Sequence, residues 1–323
     1  MKHKITMDFL ARKLNISKTT ISKAINNCPG ISPKTKQMIV QTASDYGYIP
    51  KVTKYMAHHV SFILPASPEY FWGRLRKCLN ACSKETDIKC NNYVYPNLHD
   101  DLGALHCINQ ALSEETSALI LAVPDSPEIH KMLEQAANNV LIILIEEFID
   151  IKNTFYIGED SFYQGYAIGE KYIHAYPNST RFAILRSTDF YTEKKRIEGF
   201  LSAINDYGKK RIADLRENTG TRSRAAYIAR QLANLKYLPD CIFCPSGNIL
   251  YAADSIKKLN KNIHCIGFDM HAKRADNDGI ITHLLLQDID SQAKKAWEYT
   301  GNFLKTSIFP EDKKTYIDNI LEG

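Results

Sequence analysis

Along most of the chain, short apolar runs alternate with longer stretches in which apolar residues recur every three or four positions. From Val60 onward the runs read VSFIL, NNYVY, SALILA, VLIILI, TFYIG, RFAIL, CIFC and HCIGF. Such runs, rich in β-branched and aromatic residues, predict strands, and the stretches between them carry the helical period. Strands separated by helices predict parallel sheets covered on both faces. In open sheets of that kind ligands bind beyond the carboxyl ends of the strands.

The first 50 residues follow a different pattern. Met7, Leu10, Ala11 and Leu14 form a helical stripe after Thr6, a residue type suited to cap a helix. Asn15 stands where a tight turn needs a left-handed residue. A second helix starts from Ser17, buries Thr20, Ile21, Ala24 and Ile25, and turns Lys18, Thr19, Ser22 and Lys23 outward. Ser32-Pro33 opens a third helix that buries Ile39, Val40 and Ala43 and ends near Gly47. Three short helices with a turn between the first two predict a helix-turn-helix, whose second helix enters the major groove of DNA.

Charge sharpens this division. Residues 1–59 hold ten Lys or Arg against Asp8 and Asp45, about +8, whereas the whole chain of 323 residues carries +5 and the remainder therefore about −3. A basic head is the footprint of attraction to a polyanion, and the acidic body has a different task. No apolar run approaches the roughly 20 residues that span a bilayer, and MKHKITMDFLARKL lacks the apolar centre of a secretory signal. The expectation is a cytoplasmic protein with no membrane partner. Eight cysteines scattered through apparent helices and strands fit buried reduced thiols.

At residues 5–50 the segment ITMDFLARKLNISKTTISKAINNCPGISPKTKQMIVQTASDYGYIP resembles the headpiece of the lac repressor family of transcription regulators, down to the closing Gly47-Tyr48-Ile49-Pro50. The resemblance implies that Lys18, Thr19 and Lys23 read bases and that Thr6, Ser17, Ser22, Asn26 and Tyr48 touch phosphates. The family usually has arginine at the position of Lys23, and lysine lacks the planar fork that grips a guanine edge, so the expected operator is not the family's commonest one.

Residues 60–323 resemble, more loosely, the family's type I periplasmic-binding-protein effector domain, two similar doubly wound α/β lobes with a small ligand between them. The division that follows is a head over 1–50, a linker over 51–59 and the two-lobed body. KRIEGF matches a family motif and implies that Arg196 donates to sugar hydroxyls; IGFDM makes Asp269 an acceptor for paired hydroxyls; LLLQDID places Gln287 at a strand end as a ligand contact. SPEYFWGR sets Tyr70, Phe71 and Trp72 at the cleft mouth, with Phe71 the one most suited to the core. Asp160, in IGEDSFYQG, matches an aspartate that orders the inter-lobe region.

Two positions depart from the sugar-binding pattern. Ser246-Gly247 replaces an Asn-Asp, and Glu146-Glu147 replaces an Asp-Arg. The extra carboxylate either prefers an amine-bearing or cationic ligand or points away and leaves an ordinary sugar site. In the linker KVTKYMAHHV, several residues shorter than the family's hinge segment, Ala57 stands near the usual minor-groove leucine; either Met56 is the wedge or no hinge helix forms.

Other chemistry finds no support. Cys241 and Cys244 form a single C-x-x-C on an apolar run with no second ligand pair at zinc-site spacing, and there is no P-loop, G-x-G-x-x-G, G-x-S-x-G or H-E-x-x-H. GYAIG at 165–169 is a small-residue stripe suited to close packing on the sheet. The expected protein is a non-enzymatic, ligand-responsive regulator, most simply a repressor of carbohydrate metabolism genes. It needs no cofactor or metal, binds a near-palindromic operator as a homodimer and takes a small sugar-like effector between its lobes. The competing expectation is a sugar-binding protein or sensor without operator specificity.

Overall fold

The computed structural model describes residues 5–25, 30–46, 59–86, 88–187, 190–216, 222–247, 249–268 and 279–322. Three helices come first, α1 (Met7–Leu14), α2 (Lys18–Ile25) and α3 (Pro33–Asp45). Each begins at a hydroxyl: Thr6 Oγ1 accepts from the Phe9 amide at 3.2 Å, Ser17 Oγ from the Thr20 amide at 3.0 Å and Ser32 Oγ from the Thr35 amide at 3.1 Å. Such caps satisfy amides that the helix leaves without partners, at about 1 kcal/mol each. Asn15 closes α1 at φ 53°, and its amide and the apolar stripe send the chain directly into α2. Leu10, Ile21, Ala24, Ile39 and Ala43 form the shared core of this three-helix unit. Asn26, Tyr48, Met56 and Ala57 lie outside the described residues.

The body begins with β1 (His59–Ser67), α4 (Glu69–Lys84), β2 (Lys89–Asn97), α5 (Asp101–Ser113), β3 (Ala118–Leu121), α6 (Pro127–Ala136), β4 (Leu141–Leu144) and β5 (Thr154–Gly158). A second set follows: α7 (Ser161–Ala175), β6 (Arg181–Arg186), α8 (Tyr191–Asp206), β7 (Lys210–Arg216), α9 (Arg222–Leu232), β8 (Cys241–Cys244), α10 (Ile249–Lys258), β9 (His264–Phe268) and β10 (Ile281–Leu286). The chain ends with α11 (Ile289–Thr306), β11 (Lys314–Tyr316) and β12 (Ile320–Glu322).

Each set builds one sheet. The orders are β11-β5-β4-β3-β1-β2 and β12-β10-β9-β8-β6-β7, so the two lobes repeat one topology. All pairings are parallel except β10 with β12. Strand order reverses beside β1 in one lobe and beside β6 in the other, which is where open α/β sheets leave a ligand crevice. Buried ALIL in β3 and LIIL in β4 show why the strands were visible as continuous apolar runs: helices cover both faces. The chain passes between lobes three times, after β5, after β10 and after β11.

Not every expectation about the elements holds. β7, KRIADLR, was not among the apolar runs because an edge strand buries less and reads as polar. The glycine stripe packs on a helix rather than on the sheet. A Cβ at Gly165 would lie 2.0 Å from the Arg196 carbonyl oxygen, and one at Gly199 1.9 Å from that of Phe162. Glycines thus bring α7 and α8 into backbone contact, which carries Arg196 to the segment just before α7. Cys241, Cys244 and Cys265 are fully buried, and burial pushes their thiols up, that of Cys265 to about 12. They are inert packing groups.

Candidate functional site between the lobes

The ends of β4 and β5 and the start of α8 bring charged groups together where the lobes face each other. Beyond β4, Glu146 adopts φ 64°, a left-handed conformation unusual for a residue with a side chain. Its Oε1 accepts from Gln287 Nε2 at 3.0 Å, across 141 residues of sequence. Glu147 is also buried, and its Oε1 accepts from the Tyr191 amide at 2.6 Å. That amide opens α8, so a carboxylate of one lobe caps the positive end of a helix in the other.

Arg196, five residues further along α8, is 5% exposed. Its Nε donates to Glu159 Oε1 at 2.5 Å and its Nη1 to the Pro245 carbonyl at 2.9 Å, while the guanidinium lies 3.9 Å from the centroid of the Phe268 ring. Nη2 also touches Glu159 as an ion pair but makes no hydrogen bond of good geometry, and it stands 3.9 Å from Glu146 Oε2. Burial works against the Arg196 cation, and Glu159 and Glu146 more than offset it, so its pKa rises. Burial pushes Glu146 up to about 7 despite Arg196, and drives Glu147 up as well.

The three crossing segments meet at this cluster. Glu159 follows β5 and accepts from Asn319 in the third crossing; Gln292 Nε2 of the second crossing donates to the Ile157 carbonyl at 2.9 Å. On the second lobe's side, Glu193 accepts from the Ser187 amide at 2.5 Å and from its hydroxyl at 2.9 Å, and Ser187 Oγ lies 3.0 Å from Ser246 Oγ. Lys314 Nζ donates to Tyr191 Oη at 2.8 Å and sits 4.0 Å from the Phe148 ring centroid.

The sequence-predicted residues are distributed unevenly. Glu146, Arg196 and Gln287 converge, and Ser246 joins the Ser187–Glu193 group. Tyr70 reaches across to the other lobe: a Cβ on Gly247 would lie 1.8 Å from its hydroxyl oxygen, so glycine there makes room for the tyrosine tip. Trp72 does not line the cleft. Expected at the cleft mouth, it is buried with Phe71 in the first lobe's core, their rings edge to face at 4.7 Å, because both lie on the inner face of α4. Phe71 takes the core position expected for it. Asp160 caps α7 through the Tyr163 amide at 3.1 Å, and its neighbour Glu159 holds the crossing segments. Sequence reasoning passed over Glu159, Glu193 and Asn319; the only hint was the doubled acid in IGED. Asp269 lies outside the described residues.

On the three-helix unit, Lys18, Thr19 and Lys23 are exposed along α2, and Ser22 is half-buried. Lys18 Nζ is 2.9 Å from Asp8 Oδ2, an exposed pair that contributes little to stability.

The sequence profile of the periplasmic binding protein domain matches residues 60–305, most of the chain. The chain belongs to the periplasmic binding protein domain family. That family consists of binding proteins, not enzymes. NtdR of Bacillus subtilis (strain 168), described as the NTD biosynthesis operon regulator, is 24% identical over 287 residues, which is 82% of each chain. Among solved structures, a periplasmic solute-binding protein of an ABC transporter from Actinobacillus succinogenes 130z, with bound D-allose, superposes with a TM-score of 0.72 at 17% identity, over 82% of this chain and 97% of that one. The Caulobacter myo-inositol binding protein, bound to myo-inositol, gives 0.73 at 16% identity, over 84% and 95%. At these identities the structural likeness shows the fold.

Proposed function

We propose that this periplasmic-binding-protein-family chain is a cytoplasmic, ligand-responsive transcription regulator of the lac repressor type, most simply a repressor of carbohydrate metabolism genes. The observation that carries the reading is a capped three-helix unit, with Lys18, Thr19 and Lys23 exposed along its second helix, joined to a two-lobed binding body. The similarity to NtdR, a protein described as an operon regulator, supports it. In this reading the three helices are a helix-turn-helix headpiece. Lys18, Thr19 and Lys23 meet base edges, while Thr6, Ser17 and Ser22, with Asn26 and Tyr48, meet phosphates. Met56 in the linker is the candidate wedge at the centre of the site.

The chain acts as a homodimer, so that two heads span successive major grooves of a near-palindrome. A small sugar or sugar derivative between the lobes favours one lobe arrangement and thereby alters the spacing of the heads. The sugars bound by the solved relatives support that ligand class.

The test is selection of bound duplexes from a random DNA pool by the full chain at fixed, moderate salt, first alone and then with sugars present. Enrichment of a near-palindrome in either arm is the expected result. No enrichment in both arms overturns operator recognition and favours the second reading, a sugar-binding protein without operator specificity, which the transport proteins among the structural relatives favour.

A further inference from the structure

The charge balance between the lobes narrows the ligand class, and the inference rests on the carbohydrate-ligand reading above. Among the described residues, the buried carboxylates are Glu146, Glu147, Glu159 and Glu193, and all four lie at the facing ends of the lobes or in a crossing segment. Arg196 is the buried Lys or Arg among the described residues. Its guanidinium is committed to Glu159, and Glu193 is satisfied by the Ser187 amide and hydroxyl. Glu146 shares that one cation with Glu159 from 3.9 Å and otherwise accepts only from the neutral Gln287 amide, and Glu147 accepts from the Tyr191 backbone amide, so one buried guanidinium serves several buried acids. A buried carboxylate without a counter-charge is costly, and either a proton or a cation relieves it.

A second observation, independent of the acids, marks this as a place for a ligand. Arg196 Nη2 is buried without a hydrogen-bond acceptor of good geometry and points to within 3.9 Å of Glu146 Oε2. That separation is too long for a hydrogen bond, but one hydroxyl oxygen between the two groups reaches both at ordinary length, accepting from Nη2 and donating to the carboxylate. Glu146 is held there at φ 64°, backbone strain of the kind that structures retain where a side chain has a task.

We propose that the ligand of this site carries an amine as well as hydroxyls, an amino sugar or aminocyclitol, with its ammonium against Glu146 and Glu147 and a hydroxyl bridging Arg196 Nη2 and Glu146 Oε2. The ammonium adds a second positive charge where Arg196 alone faces Glu146 and Glu159 and where Glu147 has only a backbone amide, and the hydroxyl gives Nη2 the hydrogen bond it does not make. A neutral sugar satisfies the donor alone.

The experiment is calorimetric titration of the full chain at pH 7 with matched pairs: glucose and glucosamine, 6-amino-6-deoxyglucose and glucose, galactose and galactosamine, myo-inositol and an inosamine. In at least one pair the amine-bearing member binds tenfold or more tightly than its parent, and in Glu146→Gln and Glu147→Gln the ratio for that pair drops below threefold. Thermal melts of both variants check that they fold. Equal or tighter binding of the neutral member in every pair that binds overturns the inference and leaves the carbohydrate reading standing. So does an amine preference that survives in both variants. Binding of no member of any pair overturns the carbohydrate reading, and the amine inference falls with it.

Discussion

The two lobes share a strand order and differ in what they place at their facing ends. The first lobe and its outgoing crossing supply acceptors, the carboxylates of Glu146, Glu147 and Glu159; the second supplies donors, the Arg196 guanidinium and the Tyr191 amide, with Gln287 following β10. The common topology comes from apolar periodicity, which repeats along the chain. The difference comes from single residues at strand ends and helix starts, where no period constrains the sequence. A repeated scaffold is thus turned into a charge-complementary pair by a few loop positions.

The largest expected effect comes from breaking that complementarity at its one buried cation among the described residues. Arg196→Ala leaves Glu159 and Glu146 uncompensated and is expected to cost about 3–5 kcal/mol in urea unfolding. Arg196→Lys recovers part of it, since an ammonium cannot serve Glu159 and the Pro245 carbonyl through a rigid fork. A loss below about 1 kcal/mol for the alanine variant would show that the cluster contributes little to the fold.

Next in size is the packing that sets Arg196 in place. Gly199→Ala meets the Phe162 backbone and is expected to destabilise by about 1–3 kcal/mol. Gly301→Ala in α11, where a Cβ meets nothing within 4 Å, is expected to be stabilising by up to about 1 kcal/mol. Equal melting shifts for the two would remove the argument for close α7–α8 contact.

The lobes also differ in pH response. His283, buried on the second lobe's sheet, is lowered to about 4 from an ordinary 6.5, chiefly by burial. A depressed histidine favours the folded state above pH 6.5, and that stability is lost as pH falls from 6.5 through 4. Glu146 is raised from 4.5 to about 7, so its contribution is full below pH 4.5 and is lost as pH rises through 7. Melting temperatures between pH 4 and 8 are therefore expected to flatten on the acid side in His283→Gln and on the neutral side in Glu146→Gln. Flattening on the opposite sides would reverse the assignment.

The smallest effect concerns the contact between lobes at Tyr70. Gly247→Ala displaces only the tip of a flexible side chain, so stability is expected to change by under about 0.5 kcal/mol. Ligand affinity is expected to change severalfold, because the displaced hydroxyl lies between the lobes, and Tyr70→Phe in the same background to restore part of it.

Legibility in the sequence followed the same division. Strands covered on both faces, such as ALIL and LIIL, and helices with a hydroxyl cap and an apolar stripe could be read directly, because burial and capping leave local signatures. The edge strand β7 and the three-residue β11 and β12 left none. At the site, Arg196, Glu146 and Gln287 were legible through motif resemblance. Glu159 was missed, because its partners Arg196 and Asn319 lie 37 and 160 residues away and no local pattern records such a pairing. Trp72 was misplaced because a loop-like SPEYFWGR hides the helix that turns its ring inward.

The central claim is that ligand between the lobes alters DNA binding by the head. Its most direct test is fluorescence anisotropy of the selected duplex with the full chain at one stated salt concentration, without ligand and with saturating amounts of the tightest-binding sugar or amino sugar. The account predicts at least a fivefold change in DNA affinity, a coupling of about 1 kcal/mol or more. An affinity that stays the same at saturating ligand would contradict it.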